Sequence, residues 1–472
     1  MKRLDANKIE AFSDKDLSVT IYANENVEIE NSAIVELKEF CEVVNTVEKL
    51  KNVNYLKQDS KILKVSVSSD FHRGSGIPIG VSVLTKNVVI PGAVGNDCGC
   101  GINNTITDVT IKDFALLSKK DIADKLRYIY FEGGRTIPTN SEMRKIILEK
   151  GLRGILSFEF KNEINSLKDK GIWEYLDYGD FSSDLSKFSQ DGDYKYLFSE
   201  YVESKSIYDT QLGSIGGGNH FVEWQSVIQN SYNTFGMKSG FINIMSHSGS
   251  VTLGHSIWNV FEEKLKKDYP KGLKKPVKDF YLVDFNSEIG SLYLKVLNGA
   301  INFAAVNRFL LTLMSLKGLS ELLNRKVKYK IVWDLPHNWI EDKNNNEFLH
   351  RKGTCPCYEN DPVIIPGSMG SSSFIMKGLG NSDALFSGPH GAGRKTKRGE
   401  GRKELIPSDI FVVTKLSDSI QRKDIRDKYN ASLAEESPSC YKDITPTIET
   451  MESALIAERV SELKPILTIK GL

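Results

Sequence analysis

Seven histidines, His72, His220, His247, His255, His337, His350 and His390, each lie near Gly, Asp, Asn, Ser or Pro, in short segments that read as loops. None falls on an apolar helical stripe. Imidazole binds metals, moves protons and attacks phosphorus, and loops on a rigid scaffold are where such groups are used. A single such histidine is as readily structural as functional. Seven in this setting point to a shared site.

Their neighbours narrow the chemistry. Asp70-Phe71-His72-Arg73-Gly74-Ser75-Gly76 is followed by Gly95-Asn96-Asp97-Cys98-Gly99-Cys100-Gly101. Asp97 and Cys100 stand in one tight, glycine-rich turn, so a carboxylate and a thiolate can converge on one cation; the plain alternative is a hairpin with a buried cysteine. Gly216-Gly217-Gly218-Asn219-His220 can present N–H groups to a phosphate, but no Gly-Lys-Ser/Thr follows, so it is not a Walker loop. His220 is a ligand candidate there, and Asn219 a phosphate or ribose donor. His247-Ser248-Gly249-Ser250 reads as a hydroxyl-rich anion nest, and Asp334-Leu335-Pro336-His337-Asn338 ends a strand. In Gly388-Pro389-His390-Gly391-Ala392-Gly393-Arg394 an exposed imidazole, a competent nucleophile at phosphorus, stands near an arginine suited to clamp phosphate. Lys395, Lys397, Arg398, Arg402 and Lys403 extend a local basic patch, read either as a solvated turn or as a track for an RNA backbone.

The elements that must position these residues are mixed. Residues 1–60 read as a small α+β lead-in with a helix through Val35–Phe40. Residues 61–105 alternate as strands joined by Gly-rich turns. Residues 106–210 have helical spacing and read as a helical insertion containing a mobile loop at Gln190–Asp193. The periodicity of Leu292, Val296, Ala300, Phe303, Leu310 and Leu313 predicts a helix over 290–322. A strand follows at Val327–Trp333, and a last helix is expected from about Thr447 to Leu463, stopped by Pro465. Without regular βαβ alternation, the class is α+β.

Bulk properties exclude little. The 472 residues carry 62 Lys+Arg against 61 Asp+Glu, so any nucleic-acid surface must be local. No apolar leader and no stretch of about 18 apolar residues is evident, so neither a signal peptide nor a membrane span is expected. Six cysteines in a chain this long do not form a disulfide scaffold; reduced thiols and a cytoplasmic location are expected.

The motifs Asp-x-His-x-Gly-x-Gly-x-Pro-Ile-Gly, Val-Gly-x-Asp-x-x-Cys-Gly, Gly-Gly-Asn-His-Phe-x-Glu, His-Ser-Gly-Ser, His-Asn, His-Arg-Lys-Gly, Pro-Gly-Ser-Met-Gly and His-Gly-Ala-Gly-Arg occur in the order found in RtcB RNA ligases. Together with Ala434-Glu435-Glu436-Ser437-Pro438 and the near-terminal Ile469-Lys470-Gly471, they make the chain resemble that family from about residue 60 onward. The resemblance implies a single RtcB-like catalytic domain with packed antiparallel sheets around a central cleft. It implies that Asp97, Cys100 and His220 hold one Mn²⁺, and that Cys100, His247 and His337 hold a second. His390 would take up guanylate from GTP as a histidine–GMP intermediate. An RNA 3′-phosphate, or 2′,3′-cyclic phosphate, would then be joined to a 5′-hydroxyl end. The nucleotide pocket would comprise Asn219, His220, Phe221, Glu223, His337, Asn338, Pro366, Gly367, Ser368, Met369, Ser373, Gly391, Ala392, Gly393 and Lys470, with Lys470 against the guanine. Lys352 and Arg394 would support RNA or phosphate charge, and an archease-like activator is an implied partner.

The chain departs from the family pattern in places. Val251-Thr252 follow His-Ser-Gly-Ser where Arg-Gly is usual, which puts ligation efficiency or substrate type in question. Ile207-Tyr208-Asp209 stand where another Arg-Gly is expected, and Cys355-Pro356-Cys357 replace an arginine-containing run. An extra thiolate metal site from Cys98, Cys355 and Cys357 is weaker than reading them as spare thiols. The departures suggest a divergent branch, suited to RNA repair rather than tRNA splicing. Two rival functions are a dinuclear-metal phosphodiesterase or phosphatase on RNA ends, and a non-catalytic RNA-binding relative. The first would need the metal ligands but not His390, Gly-Ala-Gly-Arg or Lys470. The second draws its support from Val251.

Overall fold

The computed structural model describes residues 1–14, 17–197, 211–230, 234–271, 273, 280–397, 399–416 and 422–471. Mixed helices and mostly antiparallel sheets give the expected α+β class. A seven-stranded sheet runs in the order Lys2–Arg3, Lys8–Asp14, Leu17–Tyr22, Lys61–Ser75, Ile77–Lys86, Glu347–Lys352, Asn338–Asp342. The central part of a nine-stranded sheet runs Ala457–Ile469, Phe221–Asn230, Phe241–Ser248, Gly101–Thr110, Tyr329–Pro336. Val19, Val65, Val67, Val81 and Val83 of the first sheet belong to one hydrophobic cluster and Ile102, Val222, Trp224, Ile244 and Ile331 of the second to another, which Trp339, Ile340 and Phe348 of the first sheet also join.

Register in the nine-stranded sheet is what assembles the site. His247 pairs with Ile102 on one side and Phe221 on the other, Ser248 pairs with Gly101, and Gly101 pairs with Pro336. The ends of four adjacent strands are therefore level. Cys100, His220 and His337 lie one residue beyond strand ends, beside His247. A one-residue slip would turn His247 to the other face.

The helix predicted over 290–322 forms as Glu288–Leu322, capped by Ser287, whose hydroxyl accepts from the Gly290 N–H at 3.1 Å. By length and hydropathy alone it is the one helix among the described residues long and apolar enough to cross a membrane. Its apolar 18-residue window is wholly buried inside the protein. From Gly299 to Leu316 every residue of the helix is buried, so this stretch is covered on every side and its sequence is apolar nearly all round. Residues 111–178 are largely helical, as their spacing predicts, and the Gly101–Thr110 strand takes the residues before them. The Gln190–Asp193 loop is tied down: the Gly192 N–H donates to the Glu149 carbonyl at 3.0 Å, and Asn298 Nδ2 donates to the Asp191 carbonyl at 3.1 Å.

The last predicted helix is corrected. Helix covers Thr445–Ser453 and a long strand covers Ala457–Ile469. Leu455 takes φ 53° and breaks the helix. Val460, Leu463, Leu467 and Ile469 are then buried in the sheet, and Pro465 does not end the element but sits where its register against Phe221–Asn230 shifts.

Candidate active site

One cleft of about 1120 Å³ brings the predicted residues together. Every residue assigned above to catalysis, nucleotide or metal borders it, except Ser373. Ser373 is buried behind the wall, where its hydroxyl accepts from the Gly367 N–H and from Gln225 Nε2, each at 3.1 Å. It shapes the Pro366–Met369 turn rather than lining the pocket. Ile207-Tyr208-Asp209 and Arg398 lie outside the described residues.

At the centre, Cys100 Sγ lies 3.3 Å from His220 Nε2 and 3.2 Å from His247 Nε2. His220 Nε2 is 3.0 Å from Asp97 Oδ2, and His247 Nε2 is 3.4 Å from His337 Nε2. Two donor groups result, Asp97–Cys100–His220 and Cys100–His247–His337, and they share the sulfur. His220 Nδ1 donates to the Ile215 carbonyl at 3.1 Å, which fixes the ring and turns Nε2 toward the group. Burial, and then neighbouring imidazoles, hold His247 and His337 well below the usual histidine range, so both are neutral. Burial raises the Asp97 carboxyl, but the charge and hydrogen bond of His220 outweigh it and keep it ionised. Burial and Asp97 push the Cys100 thiol well up. Lone pairs packed this closely with few protons between them fit a cation, and the mixed O, N, S set suits a divalent transition metal.

Behind the donors, Arg308 is fully buried and lies on the long helix. It grips Asp334 at 2.8 and 2.6 Å, and donates to the Gly99 carbonyl at 2.6 Å and the Ser248 carbonyl at 2.9 Å. One guanidinium thus ties together the chain next to Cys100, His247 and His337. A lone arginine in the apolar 290–322 stripe is the sequence signal that could have found it.

His390 follows the short Ser387–Pro389 strand, which pairs with Thr354–Pro356. Asp70, fully buried at the bend of the Lys61–Ser75 strand, holds it twice. Asp70 Oδ2 accepts the His390 N–H at 3.0 Å and lies 2.7 Å from Nδ1, off an ideal hydrogen-bond line. Burial raises the Asp70 carboxyl, but His390 and the Ser68 hydroxyl outweigh it and keep it ionised. A carboxylate at Nδ1 places the proton there and leaves Nε2 free to attack. Gly353, at φ 65°, has to be glycine: a Cβ would strike Ile79 and come within 3.1 Å of His390 Cε1.

The supporting cations are more engaged than the sequence suggested. Lys352 Nζ donates to the carbonyls of Ser75, Ile77 and Gly92 at 3.0, 3.2 and 3.4 Å, and burial lowers it to about 8. Arg394 stacks on Tyr441 and donates to Glu436 Oε1 at 3.1 Å and the Glu435 carbonyl at 2.8 Å. Lys470 Nζ donates to the Gly218 carbonyl at 2.7 Å and lies 3.7 Å from Glu436 Oε2. Glu436 and Tyr441 thus anchor this side of the cleft, a role the sequence did not show. Two histidines are not set as the sequence suggested. His350 is a strand residue in the core, accepting from the Ile90 N–H at 2.9 Å. His255 lies on the Thr252–Asp268 helix, not on a loop. Cys98, Cys355 and Cys357 donate to the separate carbonyls of Gly95, Pro389 and Ile456, so no extra thiolate site forms from them.

The chain matches the family described as tRNA-splicing ligase RtcB over residues 49–471. It belongs to the RtcB family. Its relatives include the tRNA-splicing ligases RtcB of Nanoarchaeum equitans (29% identical, over 94% of this chain and 96% of that protein) and Thermococcus kodakarensis (28%, over 90% and 92%). A third, from Methanococcus maripaludis, is 28% identical over 85% of this chain and 87% of its own length. In this RtcB chain the metal-type donors, His390 and the Gly-rich turns share one cleft, as the motif order implied.

Glu223 gives a pH test of this cleft. Burial pushes its carboxyl up to about 7, against the hydrogen bonds of Thr468 and Gln225. Its folded value lies above the unfolded value of about 4.3, so its contribution to stability is complete below about 4.3 and lost as pH rises through about 7. Melting temperatures measured from about pH 5 to about pH 8 should therefore fall less steeply in Glu223→Gln than in the native chain. Parallel profiles would mean Glu223 is ionised in the fold throughout.

Proposed function

We propose that the chain is an RNA ligase that uses GTP and two Mn²⁺ ions to join an RNA 3′-phosphate or 2′,3′-cyclic phosphate end to a 5′-hydroxyl end. The observation that carries this reading is the pairing of a buried Asp70 with His390 in the same cleft as two sulfur-sharing donor groups. A phosphodiesterase would need the donors but not an oriented imidazole beside them. Family membership supports RNA ligation, and the names of the relatives support tRNA splicing as one setting. The choice of Mn²⁺ over Zn²⁺ follows the family and availability rather than the donor set, which would also hold Zn²⁺.

In this reading Asp97, Cys100, His220, His247 and His337 hold the cations, which supply charge neutralisation at phosphate. His390 Nε2 attacks the α-phosphorus of GTP; the P–N bond forms and pyrophosphate leaves. Asp70 steadies the imidazolium that forms. A cyclic end is first opened by water at the P–O2′ bond to give the 3′-phosphate; an oxygen of the RNA 3′-phosphate then takes the guanylate from His390, and the incoming 5′-hydroxyl displaces GMP. Asn219, Phe221, Glu223, Asn338, Ser368 and Lys470 border the nucleotide's share of the cleft, and Gly391–Gly393 bring backbone close to it. Lys395 and Lys397 border the same cleft as cations for the RNA backbone. The reading includes a single catalytic domain, an archease-like activator, and a cytoplasmic location, which fits six free cysteines.

Incubation with α-labelled GTP and Mn²⁺ tests the first step: acid-labile covalent label on the native chain is expected. Asp70→Asn should slow that labelling by roughly 10²- to 10⁴-fold in single turnover, because the amide no longer sets the tautomer. GTP affinity should barely change. Labelling of Asp70→Asn at the native rate would remove Asp70 from this role.

A further inference from the structure

The start of the Thr252–Asp268 helix forms one wall of the cleft. Leu253, Gly254, Ile257, Phe261 and Leu265 bury one face of that helix in the core. Val251, His255 and Trp258 lie at i, i+4 and i+7 and border the cleft instead. Val251 holds φ 52° and ψ −126°, rare for a β-branched residue, and its carbonyl lies 3.0 Å from His255 Nδ1. Trp258 is half-buried and borders the cleft. No lysine or arginine occurs from Gly249 to Trp258.

This wall adjoins the donor groups. The Ser250 hydroxyl donates to the Cys98 carbonyl at 2.6 Å, and a Cβ on Gly254 would stand 2.7 Å from the Asn96 carbonyl oxygen. The helix start therefore rests on the turn that carries Asp97. The cationic side chains Lys395 and Lys397 border the same cleft elsewhere. A wall without lysine or arginine has little charge to hold phosphate, but its tryptophan offers a π-face, which any base can use.

We propose that Trp258, with His255 and Val251 beside it, is a stacking subsite for one unpaired nucleobase of the RNA strand whose end reacts at the donor groups. This rests on the RNA-ligase reading. The subsite is tolerant of base identity, because stacking reads a ring face rather than a hydrogen-bonding edge.

The test uses the full chain and a short single-stranded RNA ending in a 3′-phosphate, together with a series in which one nucleotide at a time is abasic. Binding is measured by fluorescence anisotropy for native protein, Trp258→Ala, Trp258→Phe and Trp258→Leu. One abasic position should weaken native binding on the order of tenfold. Trp258→Ala should weaken binding of intact RNA by a similar factor, and the same abasic position should then cost it nothing further. Trp258→Phe should recover most of the loss and Trp258→Leu should not, which covers the case of a poorly folded alanine variant. Labelling by GTP without RNA should be equal in all four proteins. Additive losses, native-like RNA binding by both Trp258→Ala and Trp258→Leu, or a raised GTP requirement would overturn the proposal. If no protein is labelled by GTP yet the abasic coupling persists, the subsite stands and the ligase chemistry fails. If all four are labelled but the losses are additive, the ligase chemistry stands and the subsite fails.

Discussion

His390→Ala should take up no label from α-labelled GTP, and strand joining should fall by at least about a thousandfold. Neither donor group contains His390, so the variant should bind divalent cation as the native chain does. The imidazoles of the donor groups are poorly placed to replace it, because those of His220, His247 and His337 turn Nε2 toward one another and toward Cys100. His390 is also the ring that Asp70 orients, and it stands edge-on to His337 at 4.9 Å between centroids, at the rim of the donor groups. Mass spectrometry of the intact chain after incubation with GTP reads the outcome directly. A guanylate adduct on His390→Ala would move the nucleophile elsewhere.

Cys100→Ala should lose both cations together. Its sulfur is the one atom common to both donor groups, and the cavity left by the thiol would be lined by His220 and His247 Nε2 without an anion to balance a second charge. Loss of an outer partner alone costs about 10- to about 100-fold in metal affinity, so loss of a shared ligand should exceed about a hundredfold at each position. Metal content after dialysis against Mn²⁺ measures it. His220→Ala, by contrast, removes a ligand from one group only and should spare the other. Retention of two tightly held ions by Cys100→Ala would show that the sulfur does not bridge.

The donor residues were legible because they lie at strand ends or in the turn before one, in segments rich in Gly and polar residues. Asp97, Cys100, His220, His247, His337 and His390 were therefore candidates from residue type and setting, and their grouping came from the family resemblance. Pairing register was not legible, since it depends on partners more than a hundred residues away, such as His247 against Ile102. That gap explains the misreadings. His350 carries the same residue type as the ligands but pairs with Val83 inside a sheet, so it is structural. Ser373 belongs to the right motif but faces Gln225. The Thr447–Leu463 segment has helical spacing locally, yet the sheet edge offered by Phe221–Asn230 and Ser373–Gly378 draws its second half into a strand. Asp70 and Arg308 were visible as residues, but their roles exist only through contacts 320 and 26 positions away.

The central claim is that this cleft joins RNA ends. The most direct measurement supplies the native chain with Mn²⁺, GTP, one RNA ending in a 3′-phosphate and another beginning with a 5′-hydroxyl, and follows both strands and the nucleotide. The account predicts a joined strand, with GMP released in step with it and none formed without GTP. Release of inorganic phosphate from the 3′ end, with no joined strand, would contradict it and assign the donor groups to a hydrolase.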